Sequence, residues 1–190
     1  SNLPTRAEVP LFAFIGRLSH QKGIDLIVDT ASRLLENDIQ LIIVGQGDAG
    51  SQRKIARIAD QYPNKVAVHL VFDEPLAHQI YAGSDFFLMP SVYEPCGLSQ
   101  MISLCYGTVP IVFKTGGLAD TVSDATQGGN GIVFDRYQPD DFIAAVFRAI
   151  ELYGDCARMD EVIARAFTSR FPWKDSARRY QELYQRLLGA

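Results

Sequence analysis

Short runs of consecutive hydrophobic residues alternate along this chain with longer segments in which hydrophobic residues recur every three or four positions. The runs predict six strands, at 11–15, 40–44, 66–71, 86–89, 109–113 and 131–134. Between the strands, hydrophobic residues at helical spacing from Ile24 and Ile27 onward predict a first helix. Later helices are predicted at 51–62, 75–82 and 97–106, and near Gly117. Strands alternating with helices are typical of a parallel sheet, and continuous hydrophobic runs are typical of strands covered on both faces. The pattern predicts an α/β fold with a doubly wound, Rossmann-like parallel sheet.

Three more helices are predicted after the last strand, at 139–153, at 157–169 and from Trp173 to about 188. Pro139 suits a first helical turn and Gly154 suits a helix end. The third helix carries a hydrophobic face made of Trp173, Ala177, Tyr180, Tyr184 and Leu187. We expect that face to pack on the core, with docking on another domain as the alternative. No repeat, linker or change of composition divides the chain, so residues 1–190 are predicted to form one domain, with C-terminal helices at about 139–188.

Composition excludes several functional classes. With 47% hydrophobic and 21% charged residues, the chain has an ordinary globular balance, and no hydrophobic run approaches the roughly 20 residues that cross a bilayer. With a net charge of −4, the chain does not have the overall positive charge expected of a nucleic-acid-binding protein. An anionic ligand would therefore need a local cationic site. Cys96, Cys105 and Cys156 show no paired spacing, which fits a reducing compartment, and we expect Cys105 and Cys156 to be buried on helices.

Glycine, charged residues or both follow each of the first five predicted strands, where a doubly wound sheet binds its ligands. Arg17 and Lys22 lie in a glycine-bounded loop after the first strand. An arginine offers a rigid fork to a phosphate and a lysine offers a mobile point charge, so both could bind one anion. This loop alone leaves open the alternative that they are two solvated surface cations.

The segment after the fourth strand combines an anion site with a carboxylate. Gly97 is predicted to open a helix, and the free N–H groups of Leu98 and Ser99 would bind an anion there. Pro95 keeps Glu94 out of helical conformation and directs it into the cleft. A carboxylate beside an anion site suits a ligand that also brings hydroxyl groups or developing positive charge, as a sugar diphosphate does. The alternative for Glu94 is an exposed loop acid.

A second pattern favours a different ligand. The glycines of Gly45-x-Gly47-x-x-Gly50, with Asp73 at the end of the next strand, match the dinucleotide-binding fingerprint. However, the motif follows the second strand rather than the first, and Asp48 within it would repel a pyrophosphate. A stand-alone nucleotide- or NAD-binding module is therefore the alternative function. No spacing of histidine, cysteine or acidic residues predicts a metal site.

Three parts of the chain resemble bacterial glycogen synthase and plant starch synthase: 14–18 with 21–23, 93–100, and 114–122. The likeness covers essentially the whole chain but only the C-terminal half of such an enzyme. These enzymes have the GT-B architecture, two Rossmann-like domains with the active site between them. The resemblance thus implies that the N-terminal GT-B domain is absent from this chain and that the isolated domain is inactive. Another GT-B transferase, using a donor such as UDP-glucose, is a second enzyme interpretation.

The resemblance also implies a reaction. Glucose would pass from ADP-glucose to the non-reducing end of an α-1,4-glucan, with retention of configuration and without a metal or other cofactor. The partners would be ADP-glucose or ADP, the glucan acceptor and the N-terminal domain, with no nucleic acid and no membrane. The location would be the cytoplasm of a bacterium, or the plastid stroma of a plant or alga.

Roles for individual residues follow from the same resemblance. Arg17 and Lys22 would neutralise the diphosphate, and Glu94 would hold the glucose near its reacting face. Backbone N–H groups would reach sugar hydroxyls from Cys96 and Gly97, and phosphate from Leu98 and Ser99. Adenine would lie near Phe72, Asp73 and Tyr93, with Gly45 permitting close approach, and Thr115 and Gly116 complete the substrate-binding set. Ile102 stands where many GT-B relatives carry a glutamate that grips the ribose.

Overall fold

The computed structural model describes residues 3–189 and contains one six-stranded sheet. The strands are β1 (Leu11–Ile15), β2 (Gln40–Val44), β3 (Val66–His69), β4 (Phe86–Met89), β5 (Val109–Phe113) and β6 (Ile132–Phe134). They run parallel in the order β3-β2-β1-β4-β5-β6. The predicted doubly wound parallel sheet is confirmed, and each predicted strand is present. The third is shorter than predicted, because it ends at His69 rather than Val71.

Helices connect and follow the strands: α1 (Ile24–Leu35), α2 (Ala49–Gln61), α3 (Glu74–Gly83), α4 (Ser99–Tyr106), α5 (Gly116–Thr121), α6 (Pro139–Tyr153), α7 (Cys156–Thr168) and α8 (Trp173–Leu188). Short 3₁₀ turns lie at His20–Lys22 and Ala125–Gln127. The prediction that Gly97 opens the fourth helix is wrong. Gly97 has a left-handed backbone (φ 73°), which a helix does not tolerate, and α4 begins two residues later at Ser99.

Alternate side chains of the strands belong to two separate cores. Phe12, Phe14 and Ile43 face the larger core with residues of α1, α2, α6 and α7. Ala13 and Ile42 face the smaller one, together with residues of α3 and α5. Burial on both faces explains why the strands are continuous hydrophobic runs. The sheet is thereby rigid, and the loops at its carboxyl edge are held by well-packed elements.

The α8 helix packs differently from the prediction. Every residue of α8 described by the structure is exposed, with Trp173 at 86%, Tyr180 at 60% and Leu187 at 69%. The expectation that its hydrophobic face packs on the core is wrong, because earlier helices already cover both faces of the sheet. The alternative, docking on another domain, remains.

The cysteines also differ from expectation. Cys96, Cys105 and Cys156 are all exposed free thiols, so the predicted burial of Cys105 and Cys156 is wrong. Cys105 lies on the outward side of α4, next to the buried Leu104, and Cys156 is the first residue of α7. Within residues 3–189, no helix has the length and apolar character needed to cross a membrane.

Candidate functional site at the carboxyl edge of the sheet

The order of the strands reverses between β1 and β4, which are neighbours in the sheet although β2 and β3 separate them in sequence. The loops that follow these two strands are in direct contact. Val92 N–H donates to the Gln21 carbonyl at 3.0 Å. A Cβ on Gly23, which has φ 76°, would lie 2.0 Å from the Pro90 carbonyl oxygen. Only glycine permits this approach, which brings the two loops together at the switch point where doubly wound sheets bind ligands.

The centre of this junction is an ion pair between Lys22 and Glu94. Lys22 Nζ lies 2.5 Å from Glu94 Oε2, and the hydroxyl of the fully buried Ser91 donates to the same oxygen at 3.3 Å. Glu94 is only 8% exposed, so it is not the exposed loop acid of the alternative interpretation. Lys22 and Glu94 lie in separate loops of the sequence, and the fold brings their side chains into contact. Removing either partner would leave the other charge poorly compensated.

Arg17 occupies a different environment from Lys22 in the same loop. Its side chain is exposed, and Nη2 donates to Gln21 Oε1 at 3.1 Å. Lys22 is half-buried beside Glu94. One cation is thus free to meet an anion from solvent, whereas the other already neutralises a carboxylate.

Next to this junction lies a cavity of about 560 Å³, within the range of small-ligand sites. Loops after β1, β2 and β3, together with α3 and α4, form its walls. Four of the predicted site residues line it: Arg17, Gly45, Phe72 and Asp73. Phe72 is 92% exposed, an unusual position for a large aromatic side chain, and Ile102 gives the wall an apolar surface. Tyr93 is exposed but is not part of the lining.

The glycines of the dinucleotide-like motif serve the packing of the chain on itself. A Cβ on Gly45 would lie 1.8 Å from the Gly16 carbonyl oxygen, and one on Gly47 would lie 2.2 Å from that of Leu18. The Gly16 carbonyl thus requires glycine at position 45, independently of any ligand. Gly45 nevertheless borders the cavity.

Acidic residues of the same motif cap helices. Asp48 accepts hydrogen bonds from the N–H groups of Gly50 and Ser51 at the start of α2, at 2.8 and 3.0 Å. The hydroxyl and N–H of Ser51 hold the pKa of Asp48 below its ordinary value. Asp73 likewise accepts from Leu76 N–H and caps α3. A carboxylate thus lies where a dinucleotide pyrophosphate would bind, which disfavours the NAD-binding alternative.

The start of α5 packs directly on the backbone around Glu94. Gly117 N–H donates to the Glu94 carbonyl at 2.8 Å, and a Cβ on Gly116 would lie 2.2 Å from that same oxygen. Thr115, at the N-cap position of α5, is therefore adjacent to this loop. The predicted site residues form two groups, one around Glu94 with Cys96 to Ser99, Thr115 and Gly116, the other around the cavity.

Two residues that the sequence analysis left without a role, Gln100 and Thr121, connect these elements. Gln100 is fully buried and donates to the carbonyl oxygens of Cys96 and Gly97, and to Thr121 Oγ1. The only sequence signal for Gln100 was its place at the end of the 93–100 segment. Among residues 3–189, no three histidine, cysteine or acidic side chains form a group suited to a metal ion.

Comparison with known proteins identifies the family of the chain. The family model described as "Glycosyl transferases group 1" matches residues 2–165. The chain belongs to this family. A glycogen synthase of Bacillus cereus (strain B4264) is 44% identical over 189 residues, which is 98% of this chain and 40% of that protein. A glycogen synthase of Bacillus anthracis shows the same identity and coverage. This chain of the group 1 family therefore spans about 40% of the length of the curated relatives it matches.

Solved structures give the same result. The catalytic domain of starch synthase IV from Arabidopsis thaliana, bound to ADP and acarbose, superposes with a TM-score of 0.89 at 37% identity, covering 100% of this chain and 41% of that one. A sucrose-phosphate synthase from Thermosynechococcus elongatus shares the fold, with a TM-score of 0.72 at 23% identity over 97% of this chain and 47% of its own. The resemblance of this group 1 glycosyltransferase chain to glycogen and starch synthases is confirmed.

Proposed function

We propose that residues 1–190 form the donor-binding domain of a retaining glucosyltransferase that passes glucose from ADP-glucose to an α-1,4-glucan. The observation that carries this proposal is the Lys22–Glu94 pair at the switch point, beside a cavity with an exposed aromatic side chain at its rim. Support comes from the 44% identity to glycogen synthases and from the starch synthase structure, which holds ADP and acarbose.

In this proposal the diphosphate binds between the two cations. Arg17 would meet it from solvent, and Lys22 would shift part of its charge from Glu94 to the phosphate oxygens. As the bond to the sugar breaks, negative charge grows on the departing ADP, and cations fixed nearby stabilise it. The structure supports this role because the two side chains share one loop and Arg17 lines the cavity.

The glucose would lie against Glu94 and the backbone that follows it. Within the described chain, none of the backbone N–H groups at positions 96–99 donates to another backbone or side-chain acceptor. They are therefore free to bind sugar hydroxyls and phosphate oxygens, as N–H groups before a helix commonly do. Glu94 would accept hydrogen bonds from the sugar and favour the positive charge that develops on it.

Adenine would occupy the cavity, with Phe72 and Asp73 at its edge and Tyr93 at the mouth of the cleft. The apolar wall that includes Ile15, Val44 and Ile102 suits the faces of a purine ring. With Ile102 in this wall, the ribose has no carboxylate from that position. We propose that contact between the base and the apolar wall supplies the binding energy that a carboxylate at position 102 would otherwise provide.

The acceptor side of the site would come from a further domain. Relatives are about two and a half times as long as this chain, which covers 40% of their length. The exposed hydrophobic face of α8 would pack on that N-terminal domain, closing the cleft over donor and glucan. On this proposal residues 1–190 bind the donor, and transfer requires the longer protein.

Nucleotide selectivity is the first expected result. ADP should bind this chain more tightly than UDP or NAD, because on this proposal the apolar cavity holds the purine, whereas Asp48 occupies the dinucleotide position. Half of the cleft is missing, so we expect a Kd of about 0.1–1 mM, which corresponds to roughly 4–5.5 kcal/mol. Calorimetric titration with the three nucleotides measures this directly. Tighter binding of NAD than of ADP would favour the dinucleotide module, and tighter binding of UDP would favour a UDP-sugar transferase.

The phosphate assignment gives a second expected result. Lys22→Ala should weaken ADP binding by about 1–3 kcal/mol, the cost of a lost hydrogen bond to a charged group. Arg17→Ala should weaken it less, because Arg17 is more exposed and its loss leaves no carboxylate unpaired. Both effects should shrink as salt rises.

Cys96→Ser is the matched control in the same site, because only the backbone of Cys96 has an assigned role. Calorimetry at low and high salt separates the outcomes. Loss of ADP binding in Cys96→Ser with unchanged binding in Lys22→Ala would show that the phosphate lies elsewhere.

A further inference from the structure

A closed chain of hydrogen bonds surrounds the backbone next to Glu94. Gly117 N–H donates to the Glu94 carbonyl at 2.8 Å, and Thr121 Oγ1 donates to the Gly117 carbonyl at 2.7 Å. Gln100 Nε2 donates to Thr121 Oγ1 at 3.1 Å and to the carbonyl oxygens of Cys96 and Gly97, each at 3.0 Å. The chain of bonds thus begins at Glu94 and returns to the same loop two and three residues later, at Cys96 and Gly97.

The orientation of the Gln100 amide follows from its neighbours. Carbonyl oxygens accept hydrogen bonds and cannot donate them, so the NH₂ group must face Cys96 and Gly97. The hydroxyl hydrogen of Thr121 is used on Gly117, which leaves Thr121 Oγ1 as an acceptor for Gln100. The two hydrogens of the Gln100 NH₂ group serve three acceptors, so one hydrogen is shared between two of them. The donor and acceptor roles assigned in this network favour a single arrangement of the loop.

The other end of the amide faces Gly97. Gln100 is fully buried, and its Oε1 has no hydrogen-bond partner within residues 3–189. The Cβ direction of Gly97 points at this oxygen, where a Cβ would lie 2.4 Å away. A hydrogen of Gly97 therefore faces Oε1, and the side chain of Gln100 fills the space that any larger residue at position 97 would need.

We infer that Gln100 and Thr121 are positioning residues for the donor: they fix the backbone at 94–99 so that the N–H groups of 96–99 face the sugar and the phosphate. This inference rests on the proposed function. Neither side chain need touch the donor, since both act through the carbonyl oxygens of Cys96, Gly97 and Gly117. A displacement of about 1 Å in such groups is enough to cost about a hundredfold in rate.

Thr121→Val tests the inference with little change of shape. It removes the bonds to Gly117 and from Gln100, whereas Thr121→Ser retains the hydroxyl. The matched control is Thr30→Val in α1, because Thr30 Oγ1 makes the same kind of bond to the carbonyl four residues before it, at 2.7 Å, and has no hydrogen bond to the 94–100 loop within residues 3–189. The full-length protein carrying each change is assayed for kcat and KM with ADP-glucose, and its melting temperature is measured. The affinity of this chain for ADP is measured in parallel.

We expect Thr121→Val to lower kcat/KM at least about tenfold and to weaken ADP binding, with Thr121→Ser within about twofold of the unchanged protein. Thr30→Val should lose comparable stability and retain the kinetics. Gln100→Met, which removes three bonds at once, should have a larger effect if it folds. Unchanged kinetics and ADP affinity in Thr121→Val would overturn the inference.

The two hypotheses fail in different ways. If the unchanged full-length protein transfers no glucose from ADP-glucose, the proposed function is wrong. In that case the ADP affinities still decide the inference, because an anion held by the N–H groups of 98–99 should bind more weakly in Thr121→Val and with unchanged affinity in Thr30→Val.

Discussion

Glu94→Ala in the full-length protein is expected to lower the turnover of ADP-glucose by about a hundred- to a thousandfold, the range for losing one preorganised electrostatic contact to a transition state. The carboxylate would lie beside the sugar, where positive charge develops during transfer. ADP affinity should stay the same or increase. In the structure Glu94 Oε2 holds Lys22 Nζ at 2.5 Å, so removing the carboxylate releases Lys22 for the diphosphate.

The measurement is kcat with ADP-glucose and glycogen, together with calorimetry of ADP on the same protein. Glu161→Gln is the matched control, because Glu161 also pairs with a cation, Arg165, but on the exposed surface of α7. Turnover of Glu94→Ala within about threefold of the unchanged protein would remove Glu94 from the mechanism. A large loss of ADP affinity would instead place Glu94 on the nucleotide side of the site.

The sequence predicted the strands well because both faces of the sheet are buried. Runs such as Leu11–Ile15 and Phe86–Met89 are hydrophobic throughout, so their ends are visible in the sequence. Helix starts were harder to predict. Whether Gly97 begins a helix depends on its backbone angles, and its φ of 73° cannot be read from the hydrophobic pattern.

The Lys22–Glu94 pair could not be predicted in the same way. The two residues are 72 positions apart, and they meet only because β1 lies next to β4 in the sheet. Hydrophobic patterning identifies strands but does not give their order. Long-range hydrogen bonds such as that between Gln100 and Thr121 depend on the same missing information.

The neighbours of glycines and of the amphipathic α8 could not be predicted for a related reason. A glycine pattern indicates close approach to the backbone but does not distinguish a ligand from another loop, and at Gly45 the Gly16 carbonyl lies in the Cβ direction. Similarly, the hydrophobic face of α8 indicates that it packs against another surface but does not show which one. In the described residues nothing in this chain does, which is why we assign that face to a partner domain.

The second large expected effect is the dependence of glucose transfer on that partner domain. This chain alone should transfer no measurable glucose from ADP-glucose to glycogen, whereas the full-length protein should do so readily. Closing two domains excludes water and brings donor and acceptor into reacting geometry. Arg17, Lys22 and Glu94 supply only one wall of such a cleft, and the exposed Phe72 and α8 remain uncovered.

The most direct test of the account is incorporation of radiolabelled glucose into glycogen, with ADP-glucose and UDP-glucose offered separately to the full-length protein, its Glu94→Ala variant and this chain alone. We predict transfer by the full-length protein with ADP-glucose preferred, a large loss in the variant and none by the chain. Transfer by this chain alone, or a preference for UDP-glucose, would contradict the account.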